Sequence, residues 1–471
     1  MSNWLASPET VIITIPEAIN EDHVTFYEIL VQIQTIKWKV RRRFREFVEL
    51  HDSLVDHGVD KESLPQKKLL NKDPSFIMKR RRDLESYLQS VFKFLQHSLP
   101  QNLAQFLCLS QYDQHFILRE LANKHYDNVI KEVFEDQMKL SPLELYAISR
   151  RLKTPCPPTN VQDKRYDFTN VADLACSLQT LSIEGCPEPV GTSNIIPNEL
   201  NYDFVSFKSL TKLVLSKVDC CPEKIETLGL LRNTLKHLEA TDCKLKSIAD
   251  ILLCDTHHLD KEESLDQDPG EELVKGNKHN FEKLEYLNLR GNSISKIDKA
   301  ILLAPKVRTL LFGGNGIELL ENLQDLHELT ILELSDNKVK DIEDLHTKIG
   351  QLTRLDLANN AIKTLEGCTK LYSLQHLNVA GNRIHDLESV TPVSCLPNLE
   401  SLNLQGNQVT TVVDYRLKVF ESFGKRCSDL ELDLELPSQP EVDKVSVLMA
   451  LRVAREGRSA TSLFGNLPRR V

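Results

Sequence analysis

The chain first reads VIITIP from Val11 to Pro16, then TFYEILVQIQTIKWKV from Thr25 to Val40. Tyr27, Ile29, Val31 and Ile33 alternate with mostly polar neighbours, the period of a half-buried strand. From Phe44 the period changes. Phe47, Leu50, Leu54 and Val55 fall on one helical face, and a second stripe of Leu84, Tyr87, Leu88, Val91, Phe92 and Leu95 opens near Lys79. Strands followed by helices predict a small α+β domain over residues 8–118. Two amphipathic patterns come next, Leu118–Gln137 and Ser141–Leu152, the second with Ser141 before Pro142 as a capping pair. They predict a helical linker over 119–165, broken by the proline-rich run TPCPPTN at Thr154–Asn160.

Beyond that break the leucines recur with a fixed period. LEYLNLRGNSI, VRTLLFGGNGI, LTILELSDNKV, LTRLDLANNAI, LQHLNVAGNRI and LESLNLQGNQV all fit the leucine-rich-repeat pattern, with asparagines at 292, 315, 337, 360, 382 and 407. Three degenerate copies precede them, at Leu178–Cys186, Leu210–Val218 and Leu235–Leu245, with Cys186 and Cys243 in the asparagine position. Each unit predicts a short strand on a concave face, leucines stacked on the next unit, and an asparagine that satisfies backbone groups in the turn. The predicted fold is therefore an α+β domain plus an α/β leucine-rich-repeat solenoid over 166–412, joined by the helical linker. Residues 413–458 should close the open end and add an amphipathic helix at Glu441–Glu456, which either packs on the cap or awaits a partner. Residues 459–471 form a tail.

Composition narrows the class. The 471 residues are 41% hydrophobic and 27% charged, ordinary for a soluble globular chain. No apolar run reaches the length of a membrane span, and the N-terminus lacks the basic and apolar blocks of a signal peptide, so a cytoplasmic protein is expected. The eleven cysteines are scattered, without a Cys-x-x-Cys pair or Cys/His clustering, which predicts reduced thiols and no metal site. No Walker loop, nucleophile elbow, kinase signature or metalloenzyme motif is present. The expectation is a binding protein rather than an enzyme, with no cofactor. The insertion Asp255–Glu272 holds eight acids and one lysine, and reads either as a solvated loop or as a docking loop for a basic partner.

Against a net charge of −10, the stretch KWKVRRRFREF from Lys37 to Phe47 carries six cations before its first acid. A second cluster comprises Lys67, Lys68, Lys72, Lys79, Arg80, Arg81 and Arg82. Residues 1–118 hold 15 Lys and Arg against 15 Asp and Glu, so the positive charge is local. A concentrated cationic surface suits a phosphoinositide headgroup, an anionic bilayer or nucleic acid. Nucleic acid is not expected, because no recognised binding motif accompanies the charge and the domain is neutral overall. An edge strand guarded by lysines is the plainer alternative.

RRFREF (Arg42–Phe47), LPQKK (Leu64–Lys68) and RRRDLESYL (Arg80–Leu88), in that order, resemble the signatures of a phox-homology (PX) domain. The resemblance implies a pocket for phosphatidylinositol 3-phosphate. Arg43 would hold the 3-phosphate, Phe44 would stack under the inositol ring, Lys67 would meet the 1-phosphate and Arg80 would bond ring hydroxyls. Leu69 and Leu70 would enter the bilayer interface or, alternatively, pack in the core. Arg42, Lys68 and Arg81 would support the basic patch. Gln66 stands where the family usually has a second proline, which leaves the loop carrying Lys67 less constrained.

The order of PX domain, linker and repeats resembles the nischarin, or imidazoline receptor candidate, family. The likeness is densest in LHTKIGQLTRLDLANN, KLYSLQHLNVAGNRI and DYRLKV. It implies a peripheral-membrane adaptor recruited to early or recycling endosomes through phosphatidylinositol 3-phosphate. The implied protein partners are integrin tails, Rac- and Rab-type small GTPases and Rac-activated kinases, and the implied outcome is restraint of Rac signalling to actin and cell migration. Homo-oligomerisation is left open. Vertebrate members continue into a long C-terminal region, so partners of that region are also left open. No pocket legible in the residues supports imidazoline binding. The alternative is a soluble leucine-rich-repeat regulatory subunit of a phosphatase or kinase, without lipid binding.

Overall fold

A computed structural model describes residues 10–66, 73–130, 137–154, 163–221, 224–254 and 279–455. The chain divides into two compact units, Met1–Ser209 and Leu210–Val471. The acidic insertion 255–272 and the tail 459–471 lie outside the described residues.

The first unit opens with an antiparallel meander of β1 (Val11–Glu21), β2 (Val24–Ile33) and β3 (Ile36–Arg43), in that spatial order. The long run expected as one strand from Thr25 is two, folded at Gln34–Thr35 with Gln34 at φ 54°. The β1–β2 turn uses Asp22 and His23, both at positive φ, a primed hairpin turn made without glycine. Tyr27, Ile29, Val31 and Ile33 are fully buried, as their alternation predicts. Helix α1 (Phe44–Val55) buries Phe47, Leu50 and Leu54 against them, with the Phe47 ring edge-on to Tyr27 and to Phe106. Helix α2 (Pro74–Leu95) begins five residues before the expected start. The Asp73 carboxylate accepts from Ser75 N at 3.2 Å, and Pro74 occupies the first turn, where a missing N–H costs nothing. The whole predicted stripe from Leu84 to Leu95 is buried.

Strand β1 bulges between Thr14 and Glu17, at Pro16. The backbone groups that leave the ladder there are taken up by α2. Glu85 accepts from Ile15 N at 2.6 Å, Arg81 donates to Ile15 O, and Gln89 donates to Ile13 O at 2.7 Å. These three side chains are spaced by four, on one helical face.

Short helices α3 (Gln101–Phe106) and α4 (Leu109–Tyr112) lead to α5 (Gln114–Ile130). Residues Gln137–Leu140, which begin at the last residue of the first expected linker helix and run up to the second, form strand β4. Helix α6 (Pro142–Lys153) starts on a full capping box: Ser141 Oγ accepts from Glu144 N, and Glu144 accepts from Ser141 N at 2.7 Å. Helix α7 (Phe168–Ser177) precedes β5 (Thr180–Glu184), the first degenerate repeat, which pairs parallel with β4.

The second unit is a stack of parallel strands: β6 (Lys212–Ser216), β7 (His237–Thr241), β8 (Tyr286–Asn288), β9 (Thr309–Leu311), β10 (Ile331–Glu333), β11 (Arg354–Asp356), β12 (His376–Asn378), β13 (Ser401–Asn403) and β14 (Glu431–Leu432). Their register aligns one leucine column, Leu213, Leu238, Leu287, Leu310, Leu332, Leu355, Leu377, Leu402 and Leu432. Every member is buried to within one per cent. Beside it runs an asparagine ladder. Asn337 accepts from Ile317 N of the preceding repeat at 2.9 Å and donates to Phe312 O at 2.9 Å and to its own Leu334 O at 3.2 Å. Asn360, Asn382 and Asn407 repeat the arrangement. One side chain per turn thus satisfies backbone groups that the leucines seal from water. Helix Tyr415–Phe423 and β14 close the end, burying Phe420, Cys427 and Leu430. The last helix, Gln439–Arg455, packs through Val445 and an ion pair of Glu441 with Arg416 at 3.1 Å.

Candidate functional site: a cationic strand–helix junction

Strand parity sorts the basic knot. On β3, Ile36, Trp38, Val40 and Arg42 point one way, and Lys37, Lys39, Arg41 and Arg43 point the other. The first set faces the core. Trp38 is fully buried and donates from its indole to Leu107 O at 2.8 Å. Arg42 follows the same face. Its guanidinium donates to Phe106 O at 3.0 Å and Gln105 O at 3.3 Å, at the carbonyl end of α3, and lies 5.2 Å from the Phe106 ring. A cation there completes helix-terminal carbonyls. Arg42, assigned by sequence to a supporting basic patch, is therefore used by the fold, because its strand position turns it inward.

The outward set is largely neutralised. Glu28 sits opposite Arg41 on β2 and is only 6% exposed. It pairs with Lys39 at 2.7 Å and Arg41 at 3.8 Å, and Arg41 also reaches Glu21 at 3.2 Å. Arg45 pairs with Glu49 at 2.8 Å, one helical turn on. The free edge of β3 is covered as well. Lys37 N donates to Asn194 at 2.8 Å, Asn194 N donates to Lys37 O at 3.1 Å, and Thr192 Oγ1 donates to Lys39 O at 2.5 Å. The edge is thus guarded by a loop rather than by lysine charge.

Arg43 is different. It ends β3 and precedes α1, its own N–H donating to Glu46 at 2.7 Å. Its side chain is exposed, lies 5.0 Å from the Phe26 ring across the ladder, and has no carboxylate partner among the described residues. Phe44, the next residue, is half-buried at the first position of α1. Arg80 of α2 meets it: the guanidinium carbon is 4.4 Å from the Phe44 centroid and 4.4 Å from that of Phe76. Beneath this contact Arg80 Nε, Arg80 Nη2 and Tyr27 Oη are enclosed without hydrogen-bond partners within the described residues. Burial raises the Tyr27 phenol above its usual range, with Arg80 pulling the other way. Enclosing these three polar atoms is costly, though less than the ~1–3 kcal/mol each of isolated groups, because Arg80 acts on Tyr27 by charge and as a donor. Such costs concentrate where a fold serves a ligand.

Arg81, the other described residue of the expected patch, is turned to the β1 bulge through Ile15 O and lies 3.8 Å from Glu85. Lys79 and Arg82 remain exposed beside it. Lys67, Lys68, Leu69 and Leu70 lie outside the described residues. A cavity of about 470 Å³ opens between Pro65, Gln66 and Tyr87. Among the described residues its walls hold the carboxylates of Glu62 and Asp83 and no cation, a lining that does not itself suit phosphate. Sequence reasoning missed Tyr27, Phe26 and Phe76. Phe76 was within reach, since it lies four residues before Arg80 on the same helical face.

On the second unit, the outward positions of the strands form the candidate protein-facing surface. His237 stacks on Tyr286 at 3.9 Å and 5°, and bonds Glu239 at 2.6 Å. Burial lowers the His237 imidazole below its usual value against the opposing pull of Glu239. Farther along, Arg290 pairs with Glu333, and Asn378 donates to Asp356 at 2.9 Å.

The family model for the PX domain matches residues 31–110. The leucine-rich-repeat model matches 327–384, and a two-copy repeat model matches 372–417. The chain carries a PX domain followed by leucine-rich repeats. Among solved structures, an internalin (inlF) from Listeria monocytogenes is similar at 20% identity and a TM-score of 0.33, over 51% of this chain and 65% of that one. The chain thus covers less than two thirds of that internalin. A designed CISK-PX domain is similar at 26% identity and a TM-score of 0.19, over 20% of this chain and 96% of that one. The Drosophila melanogaster SNF/U2A′ complex is similar at 22% identity and a TM-score of 0.25, over 36% of this chain and 84% of that one. A PX domain suggests phosphoinositide binding and recruitment to membranes as a peripheral protein, and the repeats suggest protein interaction. Both are typically non-enzymatic binding modules. Among the described residues, no helix is long and apolar enough to cross a membrane.

Proposed function

We propose that this protein is a peripheral-membrane adaptor that docks on endosomes through phosphatidylinositol 3-phosphate and holds signalling proteins on its repeat array. The observation that carries the reading is the state of Arg43. In a knot whose other arginines are committed to Glu21, Glu28, Glu49 and the α3 carbonyls, its exposed guanidinium has no carboxylate partner among the described residues. A planar guanidinium can hold a phosphate bidentately, which makes it the natural 3-phosphate ligand. Phe44 offers an aromatic face under a sugar ring, and Arg80 offers donors for ring hydroxyls. Lys67 would meet the 1-phosphate, Lys68 would support it, and Leu69 and Leu70 would enter the bilayer interface.

The domain order and the motifs of the repeat array support membership of the nischarin family. Integrin tails, Rac and Rab small GTPases and Rac-activated kinases are then the candidate partners, and restraint of Rac signalling to actin and migration is the outcome. A single headgroup contact is weak, so firm recruitment to early or recycling endosomes requires a second attachment through the repeats or through self-association.

Co-sedimentation with vesicles at physiological salt tests the lipid step. The full chain should prefer vesicles with phosphatidylinositol 3-phosphate over equally charged vesicles without it, and Arg43→Gln should weaken binding about tenfold or more. Binding that follows total lipid charge and survives Arg43→Gln would contradict the reading. An absence of binding to any vesicle would favour a soluble regulatory subunit.

A further inference from the structure

The headgroup site as it stands is closed at Arg80. The guanidinium carbon is equally close, at 4.4 Å, to the rings of Phe44 and Phe76, and two of its nitrogens are enclosed without partners beside the equally enclosed Tyr27 hydroxyl. A ligand oxygen cannot reach Nε or Nη2 while both rings cover them. Phe44 likewise presents one face to Arg80, which is a face an inositol ring would otherwise use. Two rings hold the cation by quadrupole attraction, and no hydrogen bond within the described residues holds these two nitrogens there. The closed state is therefore held largely by aromatic contact, with two guanidinium nitrogens unmet, the condition under which a site opens for a ligand that supplies acceptors.

We propose that Phe76 is a gate on this site: it clamps Arg80 against Phe44 in the free protein, and an inositol phosphate engages Arg80 only after the Phe76 ring moves off it. The inference rests on the headgroup reading of the same site. Phe76 suits the role by position. It lies in the first turn of α2, one turn before Arg80, and is half-buried rather than part of the core. Movement of its ring leaves the buried stripe from Leu84 to Leu95 in place. Apparent affinity is then reduced by the fraction of molecules that are closed.

The test is binding of soluble inositol 1,3-bisphosphate, and of vesicles carrying phosphatidylinositol 3-phosphate, to the full chain with Phe76, Phe76→Leu and Phe76→Trp. Leucine keeps apolar bulk but has no π face, so binding should tighten roughly three- to tenfold, mainly through a faster on-rate. Tryptophan is the stronger cation–π partner, so binding should weaken by a similar factor. Thermal melts of the three proteins should agree within a few degrees, which separates gating from damage to the fold. If the wild-type chain binds and Phe76→Leu binds equally or less tightly, the gate is wrong while the headgroup site stands. If neither the wild-type chain nor Phe76→Leu binds either probe, the headgroup reading itself fails and the gate falls with it.

Discussion

The repeat array and the strand–helix junction handle polar groups in opposite ways. In the array each asparagine closes backbone donors and acceptors of its own and the preceding repeat, turn after turn. At the junction, among the described residues, Arg43 has no carboxylate partner and Tyr27 and Arg80 keep enclosed polar atoms without a hydrogen bond. Both regions are built from ordinary strands and helices, so the difference is not one of fold quality. The asparagine ladder satisfies the backbone groups of the repeat turns from within the chain, whereas on the reading proposed above Arg43 and Arg80 at the junction are completed by a ligand.

The largest effects should follow from breaking the array. Leu355→Ala removes a fully buried member of the leucine column and should cost about 3–5 kcal/mol in urea unfolding of the second unit. Asn337→Ala leaves Ile317 N–H and the carbonyls of Phe312 and Leu334 without their partner, and should cost about 2–4 kcal/mol. A loss below about 1 kcal/mol for Asn337→Ala would mean that water replaces the ladder, and the contrast between the regions would weaken.

A smaller effect sharpens the view of the first unit. Burial, reinforced by Arg119 and Arg151, pushes the His115 imidazole down to about 4. Its folded value lies below its unfolded one near 6.5, so the unfolded state binds the extra proton first. The contribution of the neutral ring is present above pH 6.5 and lost as pH falls towards 4, amounting to about 3 kcal/mol. Urea unfolding of the wild-type chain and His115→Gln across this window should converge by that amount; parallel curves would show that His115 titrates normally.

How much of this was legible in the chain depended on periodicity. The spacing of asparagines between 292 and 407 marked the array, and the stripe from Leu84 to Leu95 marked α2, because burial on one face imposes a period. Turns lacking glycine were not legible: Asp22–His23 and Gln34 adopt positive φ in a chain that offers no glycine there. Strand β4 was missed because four residues are too few to show alternation and its partner β5 lies about forty residues on. At the site, the motif order gave Arg43 the 3-phosphate and Arg42 a supporting place in the patch, but it could not separate an outward Arg42 from one turned into the fold. That separation is a matter of strand parity, and parity was obscured by the fold at Gln34–Thr35, which resets the register.

The pair Arg42 and Arg43 therefore tests the central claim most directly. Arg42→Gln and Arg43→Gln remove the same charge one residue apart, so vesicle co-sedimentation with phosphatidylinositol 3-phosphate and a thermal melt should be run on both. Arg42→Gln should lower stability by about 1–2 kcal/mol through the α3 carbonyls and leave binding within about twofold. Arg43→Gln should leave the melt nearly unchanged and lose about tenfold or more in binding. Equal losses of binding from the two substitutions would show that only total charge matters, and would contradict a built headgroup site.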